Sequence, residues 1–314
     1  MKLINKEIRI ETTNLCNAHC VMCPREKLTR DKGIMDMDLF QRIVDEVVRY
    51  GASSIFLGGF GESLLDPFFI ERVRYVKDKG LFCNFICNGS LLDEEKARGL
   101  IGAGLDEVRF SVYGTTAATY GKVHRGLNYQ ATVGNIQKFL EIRKSQGAKL
   151  PKVLVFYLLL EENADEADAF KKEWMGKADS IEIWRPHNWS DGRRYRGMNG
   201  NHRRSCNRPQ VGPIQVQWDG TLIPCCWDYD GRMILGDMKT HTLEEILHGE
   251  KYQAIKKAHK ENVFDAYPFC RECDQLSDHA DALVFSNRHN LPPEKAVHLT
   301  NSNLYELEEK TAAA

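Results

Sequence analysis

Six short apolar runs alternate with amphipathic helical patterns between residues 7 and 184 of this 314-residue chain. The apolar runs are residues 7–13, 53–57, 82–87, 107–112, 152–159 and 180–184. This alternation predicts a parallel sheet with right-handed crossovers, built as an incomplete barrel or as a doubly wound sheet. In either fold, the loops at the carboxyl ends of the strands are expected to hold the chemistry.

The alternation ends after residue 184. Residues 185–208 form a polar linker rich in arginine, and a hairpin is predicted at 214–218 and 221–224 around Asp219-Gly220. A helix is predicted near 242–259. We therefore expect a first domain over 1–190, a second over 191–280, and a polar tail of no assigned function over 281–314.

Composition excludes several classes of function. The net charge of -1 gives no electrostatic reason for a nucleic-acid or membrane partner, and the longest apolar run is too short for a membrane span. No apolar signal core is seen at the N-terminus, so a cytoplasmic location is expected. In that reducing compartment, the ten cysteines indicate metal binding or catalysis rather than disulfides.

Three cysteines directly follow the first predicted strand. Cys16, Cys20 and Cys23 place three thiolates within eight residues, enough to wrap one face of a cubane cluster. A 4Fe–4S cluster normally has four cysteine ligands, so three would leave one iron open to another ligand. The alternative is a zinc site whose fourth ligand is His19 or a more distant residue.

A second set of four cysteines lies in the C-terminal third. Cys206 precedes the hairpin, Cys225 follows it, and Cys270 and Cys273 form a Cys-x2-Cys pair. Four thiolates suit either zinc or an iron–sulfur cluster, and the residues alone do not choose between the two.

The Cys-x3-Cys-x2-Cys pattern at the end of a first strand resembles the signature of the radical S-adenosylmethionine (SAM) superfamily. That resemblance covers about residues 7–184 and implies a partial (β/α)6 TIM-like barrel. It also implies a 4Fe–4S cluster on the first three cysteines, with SAM on the open iron, where one electron cleaves it to a 5′-deoxyadenosyl radical. Met22 stands where an aromatic residue is usual, and its backbone contact to adenine is expected to persist.

Further motifs at strand ends resemble the SAM-binding segments of the same superfamily. Gly61 and Glu62 belong to a Gly-rich segment in which Glu62 would accept hydrogen bonds from the methionyl ammonium group. Asn88 resembles the asparagine of a Thr-Asn-Gly motif, Ser111 a serine that meets the methionyl carboxylate or ribose, and Arg125 an arginine that holds the carboxylate.

The C-terminal third resembles the twitch form of the superfamily's SPASM extension. Gly220-x4-Cys225 carries this resemblance together with the segment from Met233 to Asp237. It implies a second, auxiliary 4Fe–4S cluster on Cys206, Cys225, Cys270 and Cys273.

Candidates for the remaining roles follow from position. Cys226 and Cys87 are candidate hydrogen-atom donors, although a buried cysteine more often simply packs like an apolar residue. Arg193, Arg194, Trp227 and Asp228 are candidate substrate contacts, and the arginines suit an anionic small molecule.

Size and cluster count are similar to the twitch dehydrogenase type of butirosin biosynthesis. This similarity implies oxidation of a sugar, cyclitol or nucleoside-like alcohol, with a one-electron donor such as flavodoxin or ferredoxin. Radical epimerisation and peptide modification are the alternative reactions. A non-catalytic iron–sulfur or zinc scaffold is the alternative outside enzymes.

Overall fold

The computed structural model describes residues 3–196, 205–276 and 282–288. Six parallel strands form its centre, and each pairs with the next along the chain. They are β1 (Glu7–Ile10), β2 (Ser54–Leu57), β3 (Phe82–Cys87), β4 (Glu107–Ser111), β5 (Lys152–Leu158) and β6 (Ser180–Trp184). A doubly wound sheet reverses its strand order at a switch point. Here the spatial order follows the chain order, so the predicted incomplete barrel is confirmed.

Strand side chains alternate between two faces of this sheet. On β1, Ile8 and Ile10 belong to the hydrophobic core, whereas Arg9 lies on the opposite, inner face. On β4, Val108 and Phe110 are in the core and Arg109 lies on the inner face. The helices therefore cover an apolar outer face, and the inner face encloses a lumen that carries charged side chains.

Helices connect the strands, and an aspartate caps the first of them. Asp36 accepts hydrogen bonds from the backbone N–H groups of Asp38 and Leu39 at the first helix. The helices are α1 (Met37–Arg49), α2 (Phe69–Asp78), α3 (Glu94–Gly102), α4 (Ala117–Val123), α5 (Tyr129–Ser145), α6 (Ala167–Trp174), α7 (Arg208–Val211), α8 (Leu243–His248), α9 (Glu250–Glu261) and α10 (Pro268–Arg271). The single helix predicted over 242–259 is wrong, because Gly249 adopts an extended backbone and separates α8 from α9.

The hairpin of the C-terminal third joins the barrel sheet. It comprises β7 (Ile214–Val216) and β8 (Thr221–Ile223), with β9 (Gly236–Asp237) beside β8. β7 runs parallel to β1 and pairs Ile214 with Ile8. The hairpin that precedes Cys225 is thereby attached to β1, the strand that precedes the first cysteine set.

The opposite edge of the sheet corrects the predicted tail. Within residues 281–314, β10 (Leu283–Ser286) pairs antiparallel with β6. The resulting sheet has ten strands among the described residues. None of the helices in the described ranges has both the length and the apolar character that a bilayer crossing requires.

Candidate active site

The loop after β1 holds the first three cysteines and is pressed against the loop after β2. The N–H of Glu62 donates to the carbonyl of Leu15 at 2.7 Å. A Cβ on Gly61 would lie only 2.2 Å from the carbonyl oxygen of Thr13, so this close approach requires glycine. The Gly61-Glu62 step thus places its carboxylate against the cysteine loop.

The three thiols of this loop lie close enough to influence one another. Burial raises the pKa of Cys23 to about 11, with a further rise caused by Cys16. Burial also raises the pKa of Cys20, and the neighbouring Cys23 and Cys16 add to it. Three crowded thiols are costly to ionise alone, and a bound cationic metal centre removes that cost.

Glu62 is a buried carboxylate at the edge of the cysteine loop, 3% exposed. It accepts hydrogen bonds from the N–H groups of Leu64 and Asn88, at 3.2 and 2.8 Å. Burial raises the pKa of Glu62 to about 7. Since none of the ion pairs among the described residues involves Glu62, its remaining lone pairs suit an ammonium group.

Asn88 links the loop after β3 to the cysteine loop. Its side-chain amide donates to Asn17 at 3.0 Å and accepts from the N–H and hydroxyl of Ser90. Asn17 in turn donates to Ser90 at 2.9 Å. The structure therefore brings Gly61, Glu62 and Asn88 together around the cysteines, and their roles as SAM contacts stay predictions.

His124 contacts the first cysteine set and was missed by sequence analysis. Its Nδ1 lies 3.1 Å from Cys20 Sγ, and its ring stacks on Tyr113 at 4.5 Å between centroids. Burial lowers the pKa of His124 to about 3, so the ring is neutral. Its strand, His124–Arg125, pairs with His19–Cys20. A histidine 104 residues away has no local signal in the sequence.

The four cysteines of the second set line one small cavity near α7. Burial raises the pKa of Cys270 to about 12, with a further rise caused by Cys206. Cys273 is buried and Cys225 is partly exposed, and burial raises the pKa of both thiols. These four thiols come from three separate segments, so only the folded chain assembles them.

Arg208 lines the same cavity and is 2% exposed. Its two terminal nitrogens have no hydrogen-bond partner among the described residues. A buried guanidinium without a partner is expensive. A cluster with four thiolates carries negative charge and acceptor sulfurs, so this cavity fits such a group.

A larger cavity of about 240 Å³ lies in the barrel lumen between the two cysteine sets. Met22 and Tyr113 line it on the side of the first set. Trp227 and His187 line it on the side of the second, where their rings stack at 4.2 Å. His187 Nε2 is 3.5 Å from Cys273 Sγ. This cavity therefore extends from Met22, which lies in the loop of the first cysteine set, to His187, which contacts the second set.

Comparisons with known proteins agree with this geometry. The Radical SAM superfamily matches residues 10–173, and an iron–sulfur cluster-binding domain of the SPASM type matches residues 206–274. The chain belongs to the radical SAM superfamily. Membership implies a 4Fe–4S cluster and SAM in the barrel, and the SPASM domain implies auxiliary iron–sulfur binding.

Two curated relatives show how widely radical SAM functions diverge. A tungsten-containing aldehyde ferredoxin oxidoreductase cofactor-modifying protein of Pyrococcus furiosus is 31% identical over 163 residues, covering 50% of this chain and 45% of the relative. A probable GTP 3′,8-cyclase of Methanococcus maripaludis is 28% identical over 138 residues, covering 44% and 46%. The chain thus spans about half the length of these curated relatives.

Solved structures share the fold at low identity. BtrN in complex with AdoMet and 2-DOIA has a TM-score of 0.62 at 18% identity, covering 87% of this chain and 94% of BtrN. Streptococcus suis SuiB bound to the precursor peptide SuiA has a TM-score of 0.62 at 13% identity, covering 87% and 70%. These likenesses support the radical SAM barrel with its C-terminal extension.

Three further predicted SAM contacts, Ser111, Arg125 and Met22, have different surroundings from one another in the structure. Ser111 lies on the inner face of β4 and is close enough to hydrogen-bond with Tyr113. Arg125 is exposed, and its backbone pairs with His19. The carbonyl of Met22 accepts a hydrogen bond from Arg193 at 2.6 Å.

Of the candidate substrate residues, the structure places only some at the central cavity. Trp227 lines the central cavity, and its contact with a substrate stays a prediction. Arg193 instead donates to the carbonyls of Met22 and Cys23, and Arg194 is exposed. Asp228 is buried and accepts from the N–H groups of the turn after it. Arg193 and Asp228 therefore organise loops rather than the cavity. Of the other linker arginines, Arg203 and Arg204 lie outside the described residues.

The two candidate hydrogen-atom donors, Cys87 and Cys226, lie in different environments. Cys87 is buried in the core on the outer face of β3, away from the lumen, which argues against its predicted role as hydrogen donor. Cys226 receives a hydrogen bond at 3.1 Å from Arg9, which lines the central cavity. Its sulfur therefore contacts a residue of the cavity wall, although Cys226 is not itself among the residues that line the cavity.

Proposed function

We propose that this protein abstracts a hydrogen atom from a small polar substrate in the central cavity and oxidises that substrate. The observation that carries the proposal is the single cavity that reaches from Met22 beside the first cysteine set to Trp227 beside the second. When bound, the first cluster and SAM supply a 5′-deoxyadenosyl radical, and the auxiliary cluster supplies an acceptor for one electron.

We assign the first cluster to Cys16, Cys20 and Cys23, and the auxiliary cluster to Cys206, Cys225, Cys270 and Cys273. The crowding of the first three thiols supports the first assignment. The common cavity of the other four supports the second, together with Arg208, whose terminal nitrogens have no hydrogen-bond partner within the described ranges. External electrons would come from a one-electron donor such as flavodoxin or ferredoxin.

In this proposal, Glu62 and Asn88 orient SAM. The Glu62 carboxylate accepts from the methionyl ammonium group, a charge-assisted hydrogen bond. The network from Asn88 to Asn17 fixes the loop after β3 to the cysteine loop, which holds Glu62 at a constant distance from the first cluster. Ser111, Arg125 and the backbone of Met22 remain candidate contacts to the rest of SAM.

Aromatic walls would protect the substrate radical from water. Phe56, Phe156, Trp184 and Trp227 line the cavity. Excluded water limits side reactions of reactive intermediates. An alcohol held there can lose a hydrogen atom to the radical, then a proton and an electron, and become a ketone.

The test uses reconstituted full-length protein with dithionite and SAM. Formation of 5′-deoxyadenosine is expected, and with substrate the product should be two mass units lighter. Incubation with extracts rich in sugars, cyclitols and nucleosides, followed by mass spectrometry, searches for that difference. No 5′-deoxyadenosine from protein holding both clusters would refute the proposal.

A second candidate reaction is radical epimerisation with Cys226 as the hydrogen donor. The contact of its thiol with Arg9 at the cavity wall favours this candidate. The thiol would return a hydrogen atom to the opposite face of the substrate carbon, so product mass is conserved. The thiyl radical left on Cys226 would be reduced to the thiol by one electron, relayed from the external donor through the auxiliary cluster, and one proton from solvent. In D2O, epimerisation would add one deuterium to the product, and Cys226→Ala would abolish that product while leaving 5′-deoxyadenosine formation.

A further inference from the structure

The central cavity is lined by cationic side chains and by no carboxylate among the described residues. The four cationic residues are Arg9, Arg109, Arg185 and Arg196. Arginine recognises carboxylate and phosphate through its planar set of donors. The sequence analysis looked for such residues in the linker, at Arg193 and Arg194, whereas the strands supply Arg9 and Arg109.

Arg9 and Arg109 are held rigidly by acidic residues two positions earlier on the same strands. Arg9 Nε donates to Glu7 at 2.9 Å, and Arg109 Nε donates to Glu107 at 2.7 Å. The other oxygen of Glu107 is bound by Arg288 at 2.7 Å. Each glutamate therefore binds the Nε side of its arginine. For Arg109, the described hydrogen bonds leave both terminal nitrogens available to a ligand.

Aromatic rings fix the positions of both guanidinium groups. Arg9 lies 5.4 Å and Arg109 lies 5.6 Å from the centroid of the Phe56 ring, and Arg109 also lies 6.0 Å from that of Phe156. Such walls lower the local dielectric, which strengthens attraction for an anion. Because the side chains are already ordered, little entropy is lost when a ligand binds.

From these contacts we infer that the substrate is a small organic anion, with a carboxylate or phosphate bound by Arg9 and Arg109. Its remaining part is planar or apolar and packs against Phe56, Phe156 and the tryptophans of the cavity. The inference rests on the proposed function only in taking this cavity as the substrate site.

The test measures binding of matched aromatic probes to the reconstituted full chain with oxidised clusters and without SAM. Ligand-observed NMR titrations compare benzoate and phenyl phosphate with the neutral benzamide. The anions should bind at least about 10-fold more tightly than benzamide. A preference for benzoate over phenyl phosphate, or the reverse, distinguishes a carboxylate from a phosphate substrate.

Variants test whether the preference for anionic probes depends on Arg9 and Arg109. Arg109→Gln and Arg9→Gln should each remove most of it, and Arg109→Lys should keep part of it. If the single variant folds poorly, the double variant Glu107→Gln/Arg109→Gln avoids leaving the Glu107 carboxylate without its Arg109 partner. Arg98→Gln is the matched control, because Arg98 is exposed on α3 and pairs only with Glu94 among the described residues.

Three results would overturn the inference: equal binding of anions and benzamide, binding of none of the probes, or an anion preference that survives in both arginine variants. Formation of 5′-deoxyadenosine is measured separately on each protein. If the wild-type protein forms no 5′-deoxyadenosine but still binds the anions more tightly than benzamide, the proposed function is refuted and the anion site is retained.

Discussion

The two cysteine sets differ in how the chain assembles them. Cys16, Cys20 and Cys23 lie within one eight-residue loop, whereas Cys206, Cys225, Cys270 and Cys273 come from segments spread over 68 residues. The first set has three thiols and a buried carboxylate beside it, and the second has four thiols and a buried guanidinium. In the proposed assignment, this difference leaves one iron of the first cluster open to an exchangeable ligand, whereas the second cluster is closed by its own side chains.

The largest expected effect is on SAM cleavage. Replacing Cys16, Cys20 and Cys23 by alanine should reduce 5′-deoxyadenosine formation to background and lower the iron content from about eight to about four atoms per chain. Iron and sulfide assays with product chromatography measure both. Cys83→Ala serves as the control, because Cys83 lies in the hydrophobic core. If the triple variant still cleaves SAM, the first cysteine set is not the site of SAM cleavage and the proposed difference between the two sets is wrong.

The second cysteine set should contribute both to the thermal stability of the protein and to formation of the oxidised product. Cys270→Ala removes a ligand that joins distant segments, so the melting midpoint should fall by roughly 5–15 °C. SAM cleavage should persist while the oxidised product is lost. Calorimetry and mass spectrometry check the two effects. Zinc in place of iron in the purified protein would contradict the assignment of the second site.

A variant of Glu62 tests whether the first site, unlike the second, binds an exchangeable ligand. Glu62→Gln should weaken SAM binding by about 10- to 100-fold, because a charge-assisted hydrogen bond becomes a neutral one. Equilibrium dialysis with labelled SAM measures the dissociation constant.

The pH dependence follows from the same residue. Burial raises the pKa of Glu62 to about 7, so its carboxylate form is lost as the pH falls through 7. SAM affinity should therefore decrease below pH 7 in the wild-type protein and stay flat in Glu62→Gln. An equal slope in both proteins would assign the titration elsewhere.

The smallest effect is expected at Arg193, which donates to the carbonyls of Met22 and Cys23. Arg193→Gln loosens the cysteine loop, and the SAM dissociation constant should rise by roughly 3- to 10-fold. Arg194→Gln is the matched control, since Arg194 is exposed at the next position. If both variants raise the SAM dissociation constant equally, the cause is the loss of a positive charge and not the loss of the hydrogen bonds that hold the cysteine loop.

Sequence analysis predicted the features that depend on local patterns. The six barrel strands agree with the structure to within a few residues, and β3 and β6 agree at both ends. The first cysteine set and the motifs around Glu62 and Asn88 also have local signatures. Each of these depends on residues that are near one another in the chain.

Contacts between distant segments were not predicted. The pairing of β7 with β1, the edge strand β10 and the contact of His124 with Cys20 all arise from tertiary packing. Arg9 and Arg109 did have a signal, because each is a charged residue between apolar neighbours on a barrel strand. Such alternation indicates a polar lumen face.

The most direct test of the central claim is an electron paramagnetic resonance spectrum of the reduced first cluster, recorded in Cys270→Ala protein to remove the auxiliary signal. If one iron has no thiolate ligand and accepts SAM, adding SAM should change the g-values. An unchanged spectrum at saturating SAM would contradict the account.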